Sequence, residues 1–348
     1  MPVRRFPENP VVTPAMVRPS RPDFEVLCAF NTAVTTYRGE TILLMRVAER
    51  PISTGNTVKI PVLDTDGPVA QVKLMELSRL DTSLDFSDSR LVRGKDLFLL
   101  TSISHLRIAR SKDGRHFTVD DKPAIFPSRA SEAWGIEDPR ITQIGDTYYI
   151  AYKSVCSDGI SVSLATTKDF VTYAYHGIIF CPENLDVCIF PEKIGGRYAA
   201  LTRPVPKMIG SPNMWVAYSP DMKNWGDHHF LMGVRKGEWD NGRIGGGAIP
   251  IKTERGWLQI YHGATEKDVY CLGTVLLDLE NPHKIIARAK KPLLVPEAPY
   301  ETTGFFPNVV FTCGATVEGD RVNIYYGAAD CVTAAAEVSI KEMLNDLH

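Results

Sequence analysis

Residues 137–153 read EDPRITQIGDTYYIAYK, a strand, a tight turn at Gly145 and a second strand. β-Branched and aromatic residues favour strands, and glycine accepts the backbone angles that tight turns require. The same arrangement recurs four more times. The other copies are FNTAVTTYRGETILLMR (30–46), FPEKIGGRYAALTR (190–203), GGGAIPIKTERGWLQIYHG (245–263) and FPNVVFTCGATVEGDRVNIYYGAAD (306–330). The chain therefore reads as an all-β protein made of five similar units.

The spacing of these hairpins predicts a repeat architecture. Their turn glycines Gly145, Gly196, Gly256 and Gly319 are 51, 60 and 63 residues apart. A further strand and an Asp, Asn or Pro turn follow four of the hairpins: IARSKDGRHF (108–117), LATTKDFVTY (164–173), VAYSPDMKNW (216–225) and LLDLENPHKI (276–285). Four strands per repeat are typical of a propeller blade. We predict a single five-bladed β-propeller over residues 1–348, with a β-sandwich of accidental regularity as the alternative.

Two segments depart from the repeat. The first interval, from Gly39 to Gly145, spans 106 residues, which predicts an insertion at about residues 50–93 of the first unit. Near the C-terminus, Ser339 and Glu342 have the spacing of a capping box. This spacing predicts a short helix over residues 339–347, which we interpret as sealing an edge of the propeller.

The amino-acid composition limits the kinds of molecule that the protein is expected to bind. The 348 residues are 44% hydrophobic and carry a net charge of -2, without a long run of Lys and Arg, so neither nucleic acid nor a membrane surface is expected. Since no stretch approaches ~18 apolar residues and the N-terminus lacks a signal-peptide core, we expect a cytoplasmic protein. The seven scattered cysteines include no C-x-x-C pair, which argues against a disulfide framework or a zinc site. A homo-oligomeric assembly is left open.

The propeller fold would bring polar side chains from several units together. The innermost strands line the central channel, so hairpin starts and the ends of second strands face one funnel. The first set comprises Asn31, Glu137, Asp138, Glu192, glycines 245–247, Phe306 and Asn308, and the second comprises Arg46, Lys153, Arg203, His262 and Asp330. Converging cations repel one another unless an anion lies among them, and the arginine fork suits phosphate. The sequence therefore predicts a bound phosphate or carboxylate in the funnel.

Each candidate also has a purely structural explanation. Strand-end arginines are often surface groups, and His262 could be a hydrogen-bonded core histidine. The run GRIGGGA (242–248) lacks the G-K-[ST] signature and the following helix of a phosphate loop. We interpret these glycines as allowing a sugar to approach the backbone closely.

Several motifs occur in the order found in one enzyme family. They are WGIEDPR (134–140), FPEK (190–193), RIGGGAIPI (243–251), YHGA (261–264), GFFPNVVF (304–311) and YYGAAD (325–330). With them the sequence resembles glycoside hydrolase family 130, the inverting β-mannoside phosphorylases and their few hydrolase relatives. It looks most like the members acting on β-1,2-mannobiose or β-1,2-oligomannan. The resemblance implies a five-bladed propeller and phosphorolysis of a β-mannoside to α-D-mannose 1-phosphate.

The resemblance also implies roles for individual residues. Asp138 matches the general acid, and the expected phosphate-binding residues are Arg46, Arg203, Arg243 and His262. Asn31, Phe306 and Asp330 would contact the sugar, and we also place Glu137, Arg140, Lys193 and Tyr261 among the substrate-binding residues. Inorganic phosphate is the expected co-substrate, and no metal or organic cofactor is implied.

The number of catalytic carboxylates separates the alternatives. An inverting hydrolase uses two carboxylates ~6.5 to 9.5 Å apart, whereas a phosphorylase needs only the acid because phosphate is the nucleophile. An inverting β-mannosidase would have Glu192 or Asp186 available as its base. Propeller enzymes that cut furanosides carry an acid where this chain has Asn31, and a non-enzymatic sugar-binding propeller is a further alternative.

Strand periodicity gives an expectation for the acidic pair. Successive strand residues face opposite sides, so we expect Asp138 in the funnel, with Glu137 facing a neighbouring blade or supporting the site. Arg140 is expected on the same side as Asp138. A general acid must hold its proton near neutral pH. Burial is therefore expected to raise the pKa of Asp138.

Overall fold

A computed structural model describes residues 3–347, with strands numbered β1 to β25 along the chain. The first two blades pair through one parallel bridge, between Ser104 and Gly135, and so form a single eight-stranded sheet. The N-terminal strand and blade 1 with its insertion comprise β1 (Arg4–Arg5), β2 (Phe24–Tyr37), β3 (Glu40–Pro51), β4 (Thr57–Asp64), β5 (Gln71–Ser78), β6 (Leu91–Gly94), β7 (Leu97–Leu100), β8 (Ile103–Ser111) and β9 (Thr118–Val119). Blade 2 comprises β10 (Gly135–Ile144), β11 (Thr147–Cys156), β12 (Gly159–Thr167) and β13 (Ala174–Phe180).

The other three blades are separate antiparallel sheets. Blade 3 comprises β14 (Asn184–Ile189), β15 (Tyr198–Pro204), β16 (Met214–Ser219) and β17 (Gly226–Met232). Blade 4 comprises β18 (Arg243–Gly246), β19 (Ile251–Thr253), β20 (Gly256–Ala264), β21 (Tyr270–Leu277) and β22 (Ile285–Arg288). Blade 5 comprises β23 (Val310–Glu318), β24 (Arg321–Ala328) and β25 (Val332–Ser339).

The N-terminal strand completes blade 5. Arg4 and Arg5 of β1 pair with Glu337 and Ala336 of β25, so the last blade takes its outermost strand from the start of the chain. This pairing joins the two ends of the chain and closes the ring. It was not anticipated from the sequence, because a two-residue strand carries no periodic signal.

Five hydrophobic cores lie between successive blades. Strand β3 shows how one strand serves two of them. Leu43 and Met45 pack toward blade 5, whereas Ile42 and Leu44 pack toward blade 2. The remaining cores join blade 2 to 3, 3 to 4 and 4 to 5 in the same way. Each fully buried aliphatic side chain contributes about 1.5–3 kcal/mol, so the alternating apolar pattern stabilises the stacking of blades as well as each sheet. The predicted all-β, five-bladed propeller is confirmed.

The predicted C-terminal helix is also confirmed, and a second helix was missed. Helix α2 (Ile340–Asn345) begins after Ser339, whose Oγ accepts a hydrogen bond from the Glu342 backbone N at 3.2 Å. Met343 of this helix is fully buried in the core between blades 4 and 5. Helix α1 (Pro299–Thr302) is a single turn, and 3-10 turns cover Pro14–Met16 and Ala130–Glu132.

The segment between β3 and β8 forms two hairpins outside the ring, β4 with β5 and β6 with β7. Val58, Ile60 and Val92 form a small hydrophobic core between these hairpins. The insertion is therefore an ordered structure attached to blade 1. Within residues 3–347, the helices are all too short or too polar to span a membrane.

Candidate active site

A cavity of about 410 Å³ opens where the innermost strands of the five blades meet. Every blade contributes side chains to its wall. They include Asn31 and Arg46 from blade 1, Glu137, Asp138 and Lys153 from blade 2, Leu185 and Arg203 from blade 3, Arg243, His262 and Tyr270 from blade 4, and Phe306, Phe311 and Asp330 from blade 5. Nine of the predicted site residues are thus brought together: Asn31, Arg46, Glu137, Asp138, Arg203, Arg243, His262, Phe306 and Asp330.

A repeated backbone irregularity directs three side chains toward the axis. Asn31, Asp138 and Asp186 have φ angles of 45°, 47° and 55°, in the left-handed region that residues with a side chain rarely adopt. Each lies at a register shift between the first two strands of its blade. Bulges of this kind change the direction of side chains and are frequent beside active sites. The sequence equivalents are FNT, EDP and LDV, so the repeat itself marks Asp186 as a third axial position.

The bulge overturns one expectation. Strict alternation predicted that Glu137 and Asp138 would face opposite sides, but both line the cavity. The register between β10 and β11 shifts between Glu137 and Arg140, and the left-handed backbone of Asp138 interrupts the two-residue period. Glu137 and Asp138 therefore line the same cavity.

Asp138 is held by three neighbours. Lys153 Nζ donates to its Oδ2 at 2.6 Å, Asn31 Nδ2 donates to its Oδ1 at 3.0 Å, and Arg46 Nη1 lies 3.6 Å from Oδ1. Burial would raise the pKa of Asp138, but the charges of Lys153, Arg46 and Arg140 outweigh it and lower the pKa to about 2. The expected upward shift is therefore wrong for the ligand-free protein. Asp138 is ionised there because its cationic neighbours favour the charged form.

Glu137 is the partner of Arg46. Arg46 Nη2 donates to Glu137 Oε1 at 2.6 Å, and the guanidinium also lies over the ring of Phe30 at 4.8 Å. Burial raises the pKa of Glu137, opposed by Arg46 and reinforced by Asp138. The pKa values of the two acids are therefore shifted in opposite directions. Asp138, which has more cationic neighbours, is held ionised.

Four nitrogen-bearing side chains surround the Asp186 carboxylate, and two of them, Arg203 and Arg140, donate hydrogen bonds to it. Arg203 donates to its Oδ2 through Nε at 2.8 Å, with Nη2 at 2.6 Å. Arg140 Nη2 and Lys153 Nζ lie 3.1 and 3.3 Å from Oδ1. His262 Nε2 lies 3.2 Å from Oδ2. This buried carboxylate compensates cations that we expected only a ligand to balance. Burial opposes its ionisation, but the charges of Arg203 and Lys153 hold its pKa well below the usual range.

His262 is a neutral group in this cluster. Burial lowers its pKa to about 4 even though Asp186 favours the charged form. Its ring packs against Phe311, with centroids 4.3 Å apart. At neutral pH His262 can thus contribute a hydrogen bond to a ligand but not a positive charge.

Arg243 stands nearer the cavity mouth. It pairs with Asp268, and Nη1 donates to the Tyr270 hydroxyl at 2.9 Å. Tyr270 was not predicted from the sequence, although it lies at the start of β21 and faces the same cavity. Arg46, Lys153, Arg203 and Arg243 are therefore each paired with a carboxylate.

Sequence comparison matches residues 100–348 to the model of glycoside hydrolase family 130, described as β-1,4-mannooligosaccharide phosphorylase. The chain belongs to this family. A β-1,2-mannobiose phosphorylase of Listeria innocua is 48% identical over 353 residues, covering 100% of this chain and 99% of the relative. A 1,2-β-oligomannan phosphorylase of Thermoanaerobacter sp. is 42% identical over 244 residues, covering 69% of this chain and 80% of the relative.

Structural comparison agrees with membership of family 130. The solved complex of the Listeria innocua β-1,2-mannobiose phosphorylase with β-1,2-mannobiose superposes with a TM-score of 0.94 and 49% sequence identity. The superposition covers 100% of this chain and 99% of that chain. Membership of family 130 removes the alternative of a furanoside-cutting propeller enzyme.

Three predicted members of the family 130 site lie outside the cavity wall. Lys193 is exposed and lies over the ring of Tyr198, because β14 ends at Ile189 and residues 190–197 form a longer turn than expected. Tyr261 is fully buried on the opposite face of β20 from His262, and its hydroxyl donates to Asp240 at 2.8 Å. The structure therefore places Lys193 and Tyr261 away from the cavity in which the other predicted site residues meet.

Arg140 is the third. Its side chain lies behind the cavity wall, where Nη1 donates to the Asp138 carbonyl at 3.0 Å and Nη2 donates to the Gly246 carbonyl at 2.8 Å. It also pairs with Asp186. Arg140 thus supports the backbone of Asp138 and the carboxylate of Asp186.

A second cavity of about 610 Å³ continues outward from the first. Both are lined by Arg46, Arg90 and Glu137. The outer wall is aromatic, with Phe98 from the β6–β7 hairpin and Trp134 having ring centroids 5.4 Å apart. The inner space is small and charged, whereas the outer space is wide and has apolar surfaces suited to sugar faces. Among residues 3–347, no group of three or more His, Cys, Asp or Glu side chains is placed to hold a metal ion.

The buried carboxyl group of Asp330 should make the free energy of unfolding depend on pH. Burial, together with Asp138 and Glu137, raises its pKa to about 6 against the opposing charges of Arg46 and Lys153. A raised acid pKa means that stability is lost as pH rises from about 4 through 6. We expect Asp330→Asn to be more stable than the wild type by about 3 kcal/mol at pH 7.5.

Urea unfolding at pH 7.5 and pH 4 checks this expectation. The advantage of Asp330→Asn should shrink to about 0.5 kcal/mol at pH 4, where native Asp330 is protonated and the unfolded side chain is roughly half protonated. Asp96→Asn, in the exposed β6–β7 turn, is the matched control and should change little at either pH. A destabilised Asp330→Asn protein at pH 7.5, or an advantage independent of pH, would contradict the assignment.

Proposed function

We propose that the chain is an inverting phosphorylase of β-mannosides, with β-1,2-mannobiose or short β-1,2-mannooligosaccharides as substrates. The names of the full-length relative and the oligomannan relative support the linkage. The environment of Asp186 is the observation that supports phosphorolysis over hydrolysis. A hydrolase of this fold would need a carboxylate base free to activate water. Asp186 is instead surrounded by Arg140, Lys153, Arg203 and His262.

The other proposed hydrolytic base is also badly placed. Glu192 is exposed in the blade 3 turn and pairs with Lys252 at 2.5 Å, and it does not line the cavity. Phosphate does not require a base, because it is already an anionic nucleophile near neutral pH. The donors around Asp186 would hold it in line with the anomeric carbon. We assign this role to Arg203 and His262, with Arg46 and Arg243 completing the site.

The reaction transfers one mannosyl unit. A phosphate oxygen forms a bond to C1 from the side opposite the leaving group, and the bond between C1 and the glycosidic oxygen breaks. Asp138 supplies the proton that the leaving oxygen gains, directly or through a sugar hydroxyl. The products are α-D-mannose 1-phosphate and a sugar shortened by one residue.

Asp138 must gain a proton before it acts. In the free protein Lys153 and Arg46 keep its pKa near 2. A bound phosphate competes for both cations, and a sugar that displaces water deepens burial. Both changes raise the pKa of a carboxyl group. We therefore propose that Asp138 becomes an effective acid only in the ternary complex. The enzyme then does not protonate the glycosidic oxygen in the absence of phosphate.

The outer cavity is the proposed place for the leaving part of the substrate. The Phe98 and Trp134 rings offer apolar faces, and Arg90 and Glu183 offer polar groups beside them. The β4–β7 insertion ends at Leu100, and the family match begins at residue 100. We infer that this part of the chain adapts the common site to its acceptor sugar. A cytoplasmic location and the oligomeric state stay open predictions.

The decisive test of the proposed function is a paired incubation of the protein with β-1,2-mannobiose, with and without inorganic phosphate. We expect equal amounts of mannose and α-mannose 1-phosphate with phosphate, and no cleavage without it. Phosphorus NMR identifies the ester and its anomeric configuration. β-1,4-Mannobiose is the matched control for linkage and should react much more slowly. Release of free mannose alone at a rate independent of phosphate would identify a hydrolase, and no turnover of any mannoside would favour a sugar-binding protein.

A further inference from the structure

Two cysteines lie close together beside Asp330 of the cavity wall, where blades 1 and 5 adjoin. Cys28 lies in β2 and is buried, whereas Cys331 directly follows Asp330 and is partly exposed. The Ala29 backbone N donates to the Cys331 carbonyl at 2.9 Å, and Thr333 Oγ1 donates to the Ala29 carbonyl at 3.0 Å. These bonds hold the two cysteine backbones side by side across the blade junction.

The two thiols have different characters. The Cys28 and Cys331 thiols are neighbours, and the Phe305 backbone N–H also influences the Cys331 sulfur. The neighbouring Cys28 thiol is the main reason that the pKa of Cys331 falls to about 7, while Cys331 and burial raise the pKa of Cys28. One sulfur is thus a partly exposed nucleophile and the other is a buried thiol within its reach. Reactive cysteine pairs are built in this way.

We propose that Cys28 and Cys331 form a thiol modification site, at which oxidation to a disulfide reversibly inactivates the enzyme. With hydrogen peroxide as oxidant, the Cys331 thiolate attacks one peroxide oxygen, the O–O bond breaks and hydroxide leaves, giving a sulfenic acid. The Cys28 sulfur then attacks the Cys331 sulfur, and the sulfenic oxygen leaves as water after proton transfer. In sum, two thiols and one peroxide give one disulfide and two waters.

The location explains why this bond would affect catalysis. A disulfide brings the sulfurs to about 2.05 Å, shorter than a thiol–thiol hydrogen bond, so at least one strand must shift. Cys331 is covalently next to Asp330, which lines the cavity. Cys28 lies two residues before Phe30, whose ring packs on the Arg46 guanidinium. A displacement of either residue changes the charges around Asp138, and a misplacement of about 1 Å costs on the order of 10²-fold in rate.

The test treats the full chain with hydrogen peroxide, blocks the remaining thiols with N-ethylmaleimide and maps peptides without reduction. We expect a crosslinked peptide containing Cys28 and Cys331, a mass loss of two hydrogens, and about 10²-fold slower phosphorolysis that dithiothreitol restores. Cys331→Ser and Cys28→Ser should keep their starting activity and resist inactivation. Cys181→Ser, which removes an exposed cysteine, is the matched control and should respond like the wild type.

Two outcomes would overturn the proposal. One is the absence of the Cys28–Cys331 peptide from oxidised wild-type protein, a readout that needs no substrate. The other is inactivation of Cys331→Ser as fast as the wild type, which would place the sensitive group elsewhere. Because the crosslink is measured by mass, failure of the proposed mannoside activity would not be confused with failure of the disulfide.

Discussion

The Asp138→Asn variant is expected to lose about 10²- to 10⁴-fold in kcat for β-1,2-mannobiose phosphorolysis, the range found for positioned general acids. The leaving oxygen of a mannoside is a poor leaving group until it is protonated. Asn can keep the hydrogen bond to Asn31, but it has no acidic proton to deliver. The loss should therefore fall on kcat, with a smaller change in the KM for phosphate.

The leaving group distinguishes loss of the acid from a damaged site. An aryl β-mannoside with an acidic phenol needs little protonation, so Asp138→Asn should retain most of the wild-type rate on it. Asp146→Asn, in the exposed turn of the same hairpin, is the control and should be fully active. Lys153 and Arg46 favour the ionised Asp138, so the variant should also melt at a lower temperature above pH 4, and circular dichroism must show that it is folded. Near-normal turnover of mannobiose by folded Asp138→Asn would remove Asp138 as the acid.

The five repeated hairpins could be predicted from the sequence because the residues that specify each one are close together in the chain. Alternating apolar residues and a turn glycine specify each hairpin, and Ser339 specifies the start of the last helix. Each of these needs only a few neighbouring residues to form. The closure of blade 5 by Arg4 and Arg5 was missed because it joins the two ends of the chain, and nothing near residue 4 indicates a partner at residue 337.

The errors within the site come from breaks in periodicity. Glu137 was assigned to the wrong side because the bulge at Asp138 inserts a left-handed residue into the strand. Lys193 was assigned to the funnel because the blade 3 turn was taken for part of its inner strand. Asp186, two residues after the start of β14, occupies the axial position instead. Comparing residues 31, 138 and 186 across the repeats could have identified it.

The charge balance of the site required the structure. The sequence suggested a group of cations awaiting an anion, yet Asp186 and Asp138 already neutralise Arg203 and Lys153. A phosphate must therefore compete with protein carboxylates instead of entering an unpaired positive cluster. Such a site releases its product more readily than a cluster without internal carboxylates, because the cations regain their partners when the ester leaves.

Arg203 is the proposed phosphate ligand whose removal should have the largest effect on phosphate use. It lies at the end of β15, binds Asp186 through Nε and Nη2, and lines the cavity. Arg203→Ala leaves Asp186 with Arg140 and Lys153 at 3.1 and 3.3 Å, so the buried carboxylate stays compensated. We expect kcat/KM for phosphate to fall about 10²- to 10³-fold, as for other donors that stabilise charge in the transition state.

Steady-state kinetics with each substrate varied in turn measure this effect. The KM for β-1,2-mannobiose should stay within about threefold of the wild type, because in the proposed arrangement Arg203 binds the phosphate and not the sugar. Arg203→Lys should recover part of the loss, since it restores the charge without the two-pronged geometry. Arg197→Ala, in the exposed turn of the same hairpin, removes an arginine paired with Asp227 and should behave as the wild type. If Arg203→Ala raised only the mannobiose KM, Arg203 would belong to the sugar site, and the phosphate would have to be held by Arg46, Arg243 and His262 alone.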